Sequence, residues 1–152
     1  KPLALLYKER DYSLVTKDAN NSNISICRLL GDVKGKTVFM ADDMLGTGGT
    51  LIKAMQVLRE MGAKKIICAV SLPFFTGTAI EDFDRAYTSG LFDLIIGTNA
   101  VYHGDELFSK PWYDYADVTN LFARIIVRLH QGHSLSPLLD NARIIQKLLN
   151  EV

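Results

Sequence analysis

The sequence predicts an α/β fold, a mostly parallel β-sheet flanked by helices. Three observations predict it. Short β-rich apolar runs at 37–41, 65–71 and 92–97 alternate with helix-patterned segments, the order that builds βαβ units. After Thr50, the residues Leu51, Ala54, Met55, Leu58 and Met61 recur at three- and four-residue spacing, which places them on one helix face. The chain has 152 residues, 48% of them apolar and 22% charged, the composition of an ordinary globular domain with its own core. A single domain over 1–152 is expected.

Each element follows from local pattern. Residues 3–7 are short and apolar and read as a buried strand. Residues 8–23 are polar and lack periodicity; a segment this long in a compact domain is usually a functional lid or unstructured. Partial alternation at 24–30 reads as a strand, and Gly31-Asp32-Val33-Lys34-Gly35-Lys36 as a turn. The run at 37–41 is a strand that ends at Asp42-Asp43. The helix after Thr50 stops at Gly62. A strand at 65–71, a helix at 77–87 and a strand at 92–97 follow. Residues 118–130 and 137–149 read as two helices separated around Gly132. Phe108, Trp112, Tyr113 and Tyr115 form an aromatic group whose expected role is packing or subunit contact rather than stacking on a base.

Composition excludes several classes. Seventeen basic residues balance seventeen acidic ones, so no broad positive surface favours nucleic acid. No apolar stretch reaches 18 residues, so no membrane span is expected. Lys8, Glu9, Arg10 and Asp11 interrupt the apolar start too soon for a signal peptide. The two cysteines, Cys27 and Cys68, have no metal-ligand spacing, and Cys68 lies in an apolar run as a small buried residue. Reduced thiols and a cytoplasmic location are expected. His130 and His133 read as surface residues.

The chemistry concentrates in Val38-Phe39-Met40-Ala41-Asp42-Asp43-Met44-Leu45-Gly46-Thr47-Gly48-Gly49-Thr50. A strand brings Asp42 and Asp43 to the carboxyl edge of the sheet, where open α/β sheets bind ligands. Gly46, Gly48 and Gly49 let the backbone approach a ligand and point successive N–H groups at one spot. The following helix N-terminus favours an anion, and Thr47 and Thr50 carry hydroxyl donors. No lysine follows the last glycine, which excludes the nucleoside-triphosphate P-loop. Carboxylates beside a phosphate cradle suit sugar hydroxyls or a hydrated divalent cation. The pattern therefore points to a sugar phosphate; the plain alternative is a strand-turn-helix with an Asp cap.

This block resembles the phosphoribosyl-pyrophosphate-binding signature of type I phosphoribosyltransferases, and more closely that of the ribose-phosphate pyrophosphokinases. Gly31-Asp32-Val33-Lys34-Gly35-Lys36, Ala63-Lys64-Lys65, Phe75-Thr76-Gly77-Thr78-Ala79-Ile80 (Phe-Ser-Gly-Pro-Ala-Ile in the family), Thr98-Asn99 and Ser134-Leu135-Ser136 (Ser-Val-Ser) extend the resemblance over most of the chain. It is loose between residues 81 and 118. The resemblance implies a phosphoribosyltransferase-like fold and transfer of pyrophosphate from ATP to ribose 5-phosphate, giving phosphoribosyl pyrophosphate and AMP, with Mg2+ present. It implies that Asp42, Asp43, Gly46, Thr47, Gly48, Gly49 and Thr50 hold ribose 5-phosphate. The metal would be held indirectly through Asp42 and Asp43. Lys8 and Arg10 of Lys8-Glu9-Arg10 would act on the transferring group, and 8–23 would be a flexible catalytic loop. Ser134 and Ser136 match a regulatory phosphate site. A homo-oligomer is implied. Because the chain opens at Lys1 without a Met, it is expected to be the C-terminal portion of a longer protein whose N-terminal half completes the site; alone, it is expected to be inactive.

Two positions depart from the family. Gly46 stands where the synthetases usually carry a third acid, and Ser71-Leu72-Pro73 stands where they carry Thr-His-Gly. The missing acid keeps open a non-catalytic regulatory homologue; a nucleobase phosphoribosyltransferase sharing the same loop is a further alternative, which the Lys8-Glu9-Arg10 match and the turn at 31–36 do not support.

Overall fold

The structure, a computed structural model, describes residues 3–10 and 24–150, with the side chains of 7–10, 24–28, 143 and 144 excepted. The chain divides into two units, one running to Ala116 and one beginning at Asp117.

The first unit opens with an antiparallel pair, β1 (Leu5–Arg10) and β2 (Ile24–Leu30), in which Leu5 faces Leu30 and Arg10 faces Ile24. The expected buried strand at 3–7 is corrected in two ways. It belongs to this separate two-stranded sheet, and only one side faces inward: Ala4 and Leu6 pack against the core, while Leu3 is 91% and Leu5 57% exposed. An apolar run on a two-stranded ribbon has one dry side, because a strand's side chains alternate.

The second sheet is parallel and carries the fold. Its strands are β3 (Thr37–Leu45), β4 (Lys65–Pro73), β5 (Leu94–Thr98) and β6 (Tyr113–Ala116), adjacent in chain order. Helix α1 (Gly49–Glu60) links β3 to β4, α2 (Ala79–Thr88) links β4 to β5, and the short α3 (Gly104–Phe108) precedes β6. Sequential parallel strands joined by right-handed crossovers place all their helices on one face. Burial alternates accordingly: Ile66, Cys68 and Val70 of β4 are sealed while Lys65 and Ser71 are exposed. On the opposite face Phe39 is 65% exposed. Sequence pattern located α1, α2, β4 and β5 to within a few residues. It assigned no element to α3 or β6, which are too short to show a period.

An aromatic cluster fills the space between sheet and helices. Trp112 and Phe83 are both fully buried and stack with ring centroids 5.8 Å apart, and Phe92 meets Phe83 edge-on at 5.6 Å. The expected packing role holds for Trp112 and Tyr113, whereas Tyr115 lies 46% exposed against Phe108. Cys68 is fully buried, as its apolar run required. The Tyr113 hydroxyl is buried without a hydrogen-bond partner among the described residues, and burial followed by the Asp114 charge pushes its pKa up to about 12.

Two polar clamps close this core. Arg59, near the end of α1, donates to the carbonyls of Leu91, Ala63 and Lys64 and to Asp93, which in turn accepts from the Ile66 N–H. Asp84 accepts from Lys110 Nζ at 2.6 Å and from the Trp112 indole N–H at 2.7 Å.

The second unit holds α4 (Thr119–His130), α5 (Ser136–Leu139) and α6 (Ala142–Asn150). Gly132 (φ 67°) ends α4, with the His133 N–H reaching back to the Arg128 carbonyl. The single helix expected at 137–149 is interrupted: Asp140 leaves helical geometry (ψ 89°), and its carboxylate accepts from the Ala142 N–H to start α6. His130 and His133 are exposed, as expected. No helix among the described residues is long and apolar enough to cross a membrane.

The Asp84 clamp sets a pH dependence. The Lys110 hydrogen bond, against an opposing desolvation, holds the Asp84 carboxyl below its ordinary value of 3.8. The stability it contributes is complete above that value and is lost as pH falls below about 4. Asp84→Asn is expected to lower the melting temperature at pH 7 and to flatten the fall in stability on the acid side. Equal pH slopes for variant and parent in thermal unfolding would remove this assignment.

Candidate functional site

The connection from β3 to α1 carries the residues that the sequence singled out. The strand does not stop at Asp42-Asp43. The parallel ladder continues, with Asp42 opposite Val70, Met44 opposite Leu72 and Leu45 opposite Pro73. The expected strand end at Asp42-Asp43 is passed because pairing with β4 outweighs the low strand propensity of Asp. Consecutive residues of a strand leave it on opposite sides. Asp42, half-buried, shares the helix-covered face with Val38 and Met40; Asp43, exposed, shares the open face with Phe39 and Ala41. The Asp42 carboxylate also accepts from the Asp43 N–H at 3.0 Å.

Beyond Leu45 the chain turns through Gly46, Thr47 and Gly48. Gly48 takes the left-handed conformation (φ 75°, ψ −7°), and α1 starts at Gly49. A left-handed residue followed by right-handed ones forms a concave group of N–H donors, a nest for an anion. The first intrahelical bond runs from Ile52 N–H to Gly48 O. The N–H groups of Gly49, Thr50 and Leu51 precede it and so lack intrahelical partners. No side chain caps this terminus, and its first turn contains no acid. Its donors and dipole are thus left for a ligand at the carboxyl edge of the sheet.

The turn after β4 supports this one from beneath. Phe74 and Phe75 N–H groups both donate to Leu45 O, at 2.8 and 3.1 Å, and Thr76 N–H donates to Gly46 O at 3.1 Å. At the β5 end, the Thr98 hydroxyl donates to Ser71 O at 2.7 Å. His103 binds the Pro73 carbonyl through Nε2 and meets Phe75 edge-on, which makes it part of the support. Phe75 and His103 gave no signal of this role in the sequence, since backbone pairing between distant turns leaves no local pattern.

The remaining predicted residues belong to other segments of the chain. Lys8 and Arg10 belong to β1, paired with Cys27 and Ile24, with an irregularity between Glu9 and Arg10; their side chains are outside those described. The strand therefore continues through the residues expected to open the catalytic loop, and 11–23 lie outside the described residues. Ser134 and Ser136 are in the second unit, their hydroxyls bonded to each other at 3.1 Å, with Arg128 Nε donating to Ser134 O.

No group of three or more His, Cys, Asp or Glu that could hold a metal occurs among the described residues. Asp42 and Asp43, diverging from one strand, do not form a protein cage. They fit a cation such as Mg2+ that keeps most of its waters and takes a single carboxylate together with substrate phosphates.

Residues 1–106 match the phosphoribosyl transferase domain model. A mycobacterial structure, the phosphoribosylpyrophosphate synthetase of Mycobacterium smegmatis, superposes with a TM-score of 0.62 at 30% identity, over 70% of this chain and 34% of that one. The chain belongs to the phosphoribosyl transferase domain family. Within that family its curated relatives are ribose-phosphate pyrophosphokinases. The protein of that name from Chlorobaculum tepidum is 36% identical over 138 residues, 90% of this chain and 41% of the relative. Ribose-phosphate pyrophosphokinase 4 of Saccharomyces cerevisiae is 36% identical over 135 residues, 88% of this chain and 39% of the relative. The chain thus spans about two fifths of the length of these relatives.

Gly46 differs from Gly48 in what it requires. Its φ is not left-handed, and the nearest atom to a Cβ built there is Thr76 Oγ1 at 3.8 Å, an ordinary contact. Gly46→Asp is expected to change folding stability by less than about 1 kcal/mol in urea unfolding. A larger loss would show that the turn itself demands glycine at 46.

Proposed function

We propose that this chain carries the ribose 5-phosphate site of an enzyme that transfers pyrophosphate from ATP to the sugar's anomeric hydroxyl. The products are phosphoribosyl pyrophosphate and AMP. The observation that carries this reading is the uncapped N-terminus of α1 behind a left-handed glycine, directly after two strand-borne carboxylates. Relatives named ribose-phosphate pyrophosphokinase support the choice of reaction within the family.

In this reading the N–H groups of Gly49, Thr50 and Leu51 receive the 5-phosphate, with Thr47 and Thr50 hydroxyls adding donors and Gly46 and Gly48 shaping the turn. Asp42 and Asp43 accept hydrogen bonds from ribose hydroxyls. Their divergence from the strand divides the work between different positions around the ring. Binding fixes the sugar so that its anomeric oxygen is aligned on the β-phosphorus of ATP, and such fixing converts a bimolecular step into a unimolecular one. The anomeric O–H bond gives up its proton to solvent as the O–Pβ bond forms, the bond from Pβ to the α–β bridging oxygen breaks, and AMP leaves carrying that oxygen. Lys8 and Arg10 stabilise the negative charge on the transferring group. Mg2+, when bound, neutralises phosphate charge at the carboxylate side of the site.

Homo-oligomerisation, an N-terminal half that completes the ATP site, and a regulatory phosphate at Ser134 and Ser136 are parts of the same proposal. So is inactivity of this chain in isolation.

The intact protein, given ribose 5-phosphate and Mg-ATP, is expected to release AMP in proportion to phosphoribosyl pyrophosphate formed. Absence of AMP would favour the non-catalytic homologue suggested by Gly46, and base-dependent consumption of phosphoribosyl pyrophosphate would favour a nucleobase transferase. Asp43→Asn is expected to abolish synthesis in the intact protein while leaving the fold unchanged, because the carboxylate is exposed and forms no ion pair among the described residues. Unaltered turnover in that variant would exclude Asp43 from the site.

A further inference from the structure

Gly48 sits against a wall. A Cβ built on it falls inside the van der Waals envelope of Phe83 Cε2, and lies 3.1 Å from Cζ and 3.3 Å from Cδ2 of the same ring. Phe83 is on α2, remote in sequence, and is fully buried. Its ring cannot retreat, because Phe75 (5.6 Å), Phe92 (5.6 Å) and Trp112 (5.8 Å) meet it from other directions. Phe75 is also the described non-glycine residue with a left-handed backbone (φ 43°), a conformation that disfavours an aromatic side chain. That turn is bonded to the carbonyls of Leu45 and Gly46, at the base of the β3–α1 connection.

We propose that Phe83 and Phe75 are positioning residues for phosphate binding. The ring edge of Phe83 fills the place a side chain at Gly48 would take, so this left-handed glycine rests its backbone on the ring, and Phe75 holds the ring and the turn beneath it. Neither side chain touches the ligand. They act through Gly48, whose conformation aims the N–H groups of Gly49, Thr50 and Leu51. This inference rests on the reading of the turn as a ribose 5-phosphate site.

The test compares Phe83→Leu with Phe92→Leu in the intact protein. Both remove a buried ring from one cluster, yet Phe92 is not among the atoms nearest to Gly48. Affinity for ribose 5-phosphate is measured by calorimetry well below each variant's melting temperature. Phe83→Leu is expected to weaken binding about tenfold or more, and Phe92→Leu by less than about twofold, although both lower the melting temperature. Adding Gly48→Ala is expected to weaken binding in both backgrounds, because left-handed strain at φ 75° remains in each, but less in the Phe83→Leu background, where the ring clash is gone. Should Phe83→Leu not fold, Phe83→Met and Phe75→Leu make the same comparison. Equal effects of the Phe83 and Phe92 substitutions on affinity, or additive effects of Gly48→Ala and Phe83→Leu, overturn the positioning role alone. A parent protein that binds no ribose 5-phosphate overturns the reading of the site and this inference with it.

Discussion

The stacking of Phe83 on Trp112 is the contact on which the rest of the first unit depends. Trp112 ties this stack to β6 through its neighbour Tyr113, and to α2 through the indole bond to Asp84. Phe83 carries the same packing to Gly48, and so to the start of α1. Protein interiors are close-packed and transmit displacement, and here the packing runs without a break from these rings to the glycine of a surface turn.

Electrostatics at the β3–α1 connection are arranged by separation. The first turn of α1 has no acid, although helix N-termini commonly attract one, and the carboxylates stand instead on the strand at Asp42 and Asp43. A helix terminus already neutralised by its own Asp cap would compete with an anionic ligand. Moving the acids onto β3 keeps the donor nest open while leaving acceptors at the same sheet edge. Gly46 adds neither charge nor strain.

Some corrections to the sequence reading have a common cause. Strand β3 runs on through Asp42 and Asp43 because backbone pairing with β4 outweighs the propensity of Asp for turns. Strand β1 continues through Lys8 and Arg10 because β2 supplies partners that local polarity does not announce. Helix α6 begins anew after Asp140 because that carboxylate takes a cap bond, which hydrophobic periodicity ignores. In the two strands a partner elsewhere in the chain overrode a local preference, and in α6 a short-range side-chain bond did so.

The sequence by itself determined the parallel β-α-β order, the helix face of Leu51, Ala54, Met55 and Leu58, and the glycine-rich turn between acids and helix. These are local: period, punctuation and side-chain chemistry write them into consecutive residues. Only the tertiary structure decided that Asp42 and Asp43 face opposite sides of the sheet, that Gly48 alone in the turn is walled in, and that Phe75 and Phe83 form the wall. Those facts depend on contacts between elements far apart in the chain. Burial against a remote ring leaves no periodic trace in the residues around either partner.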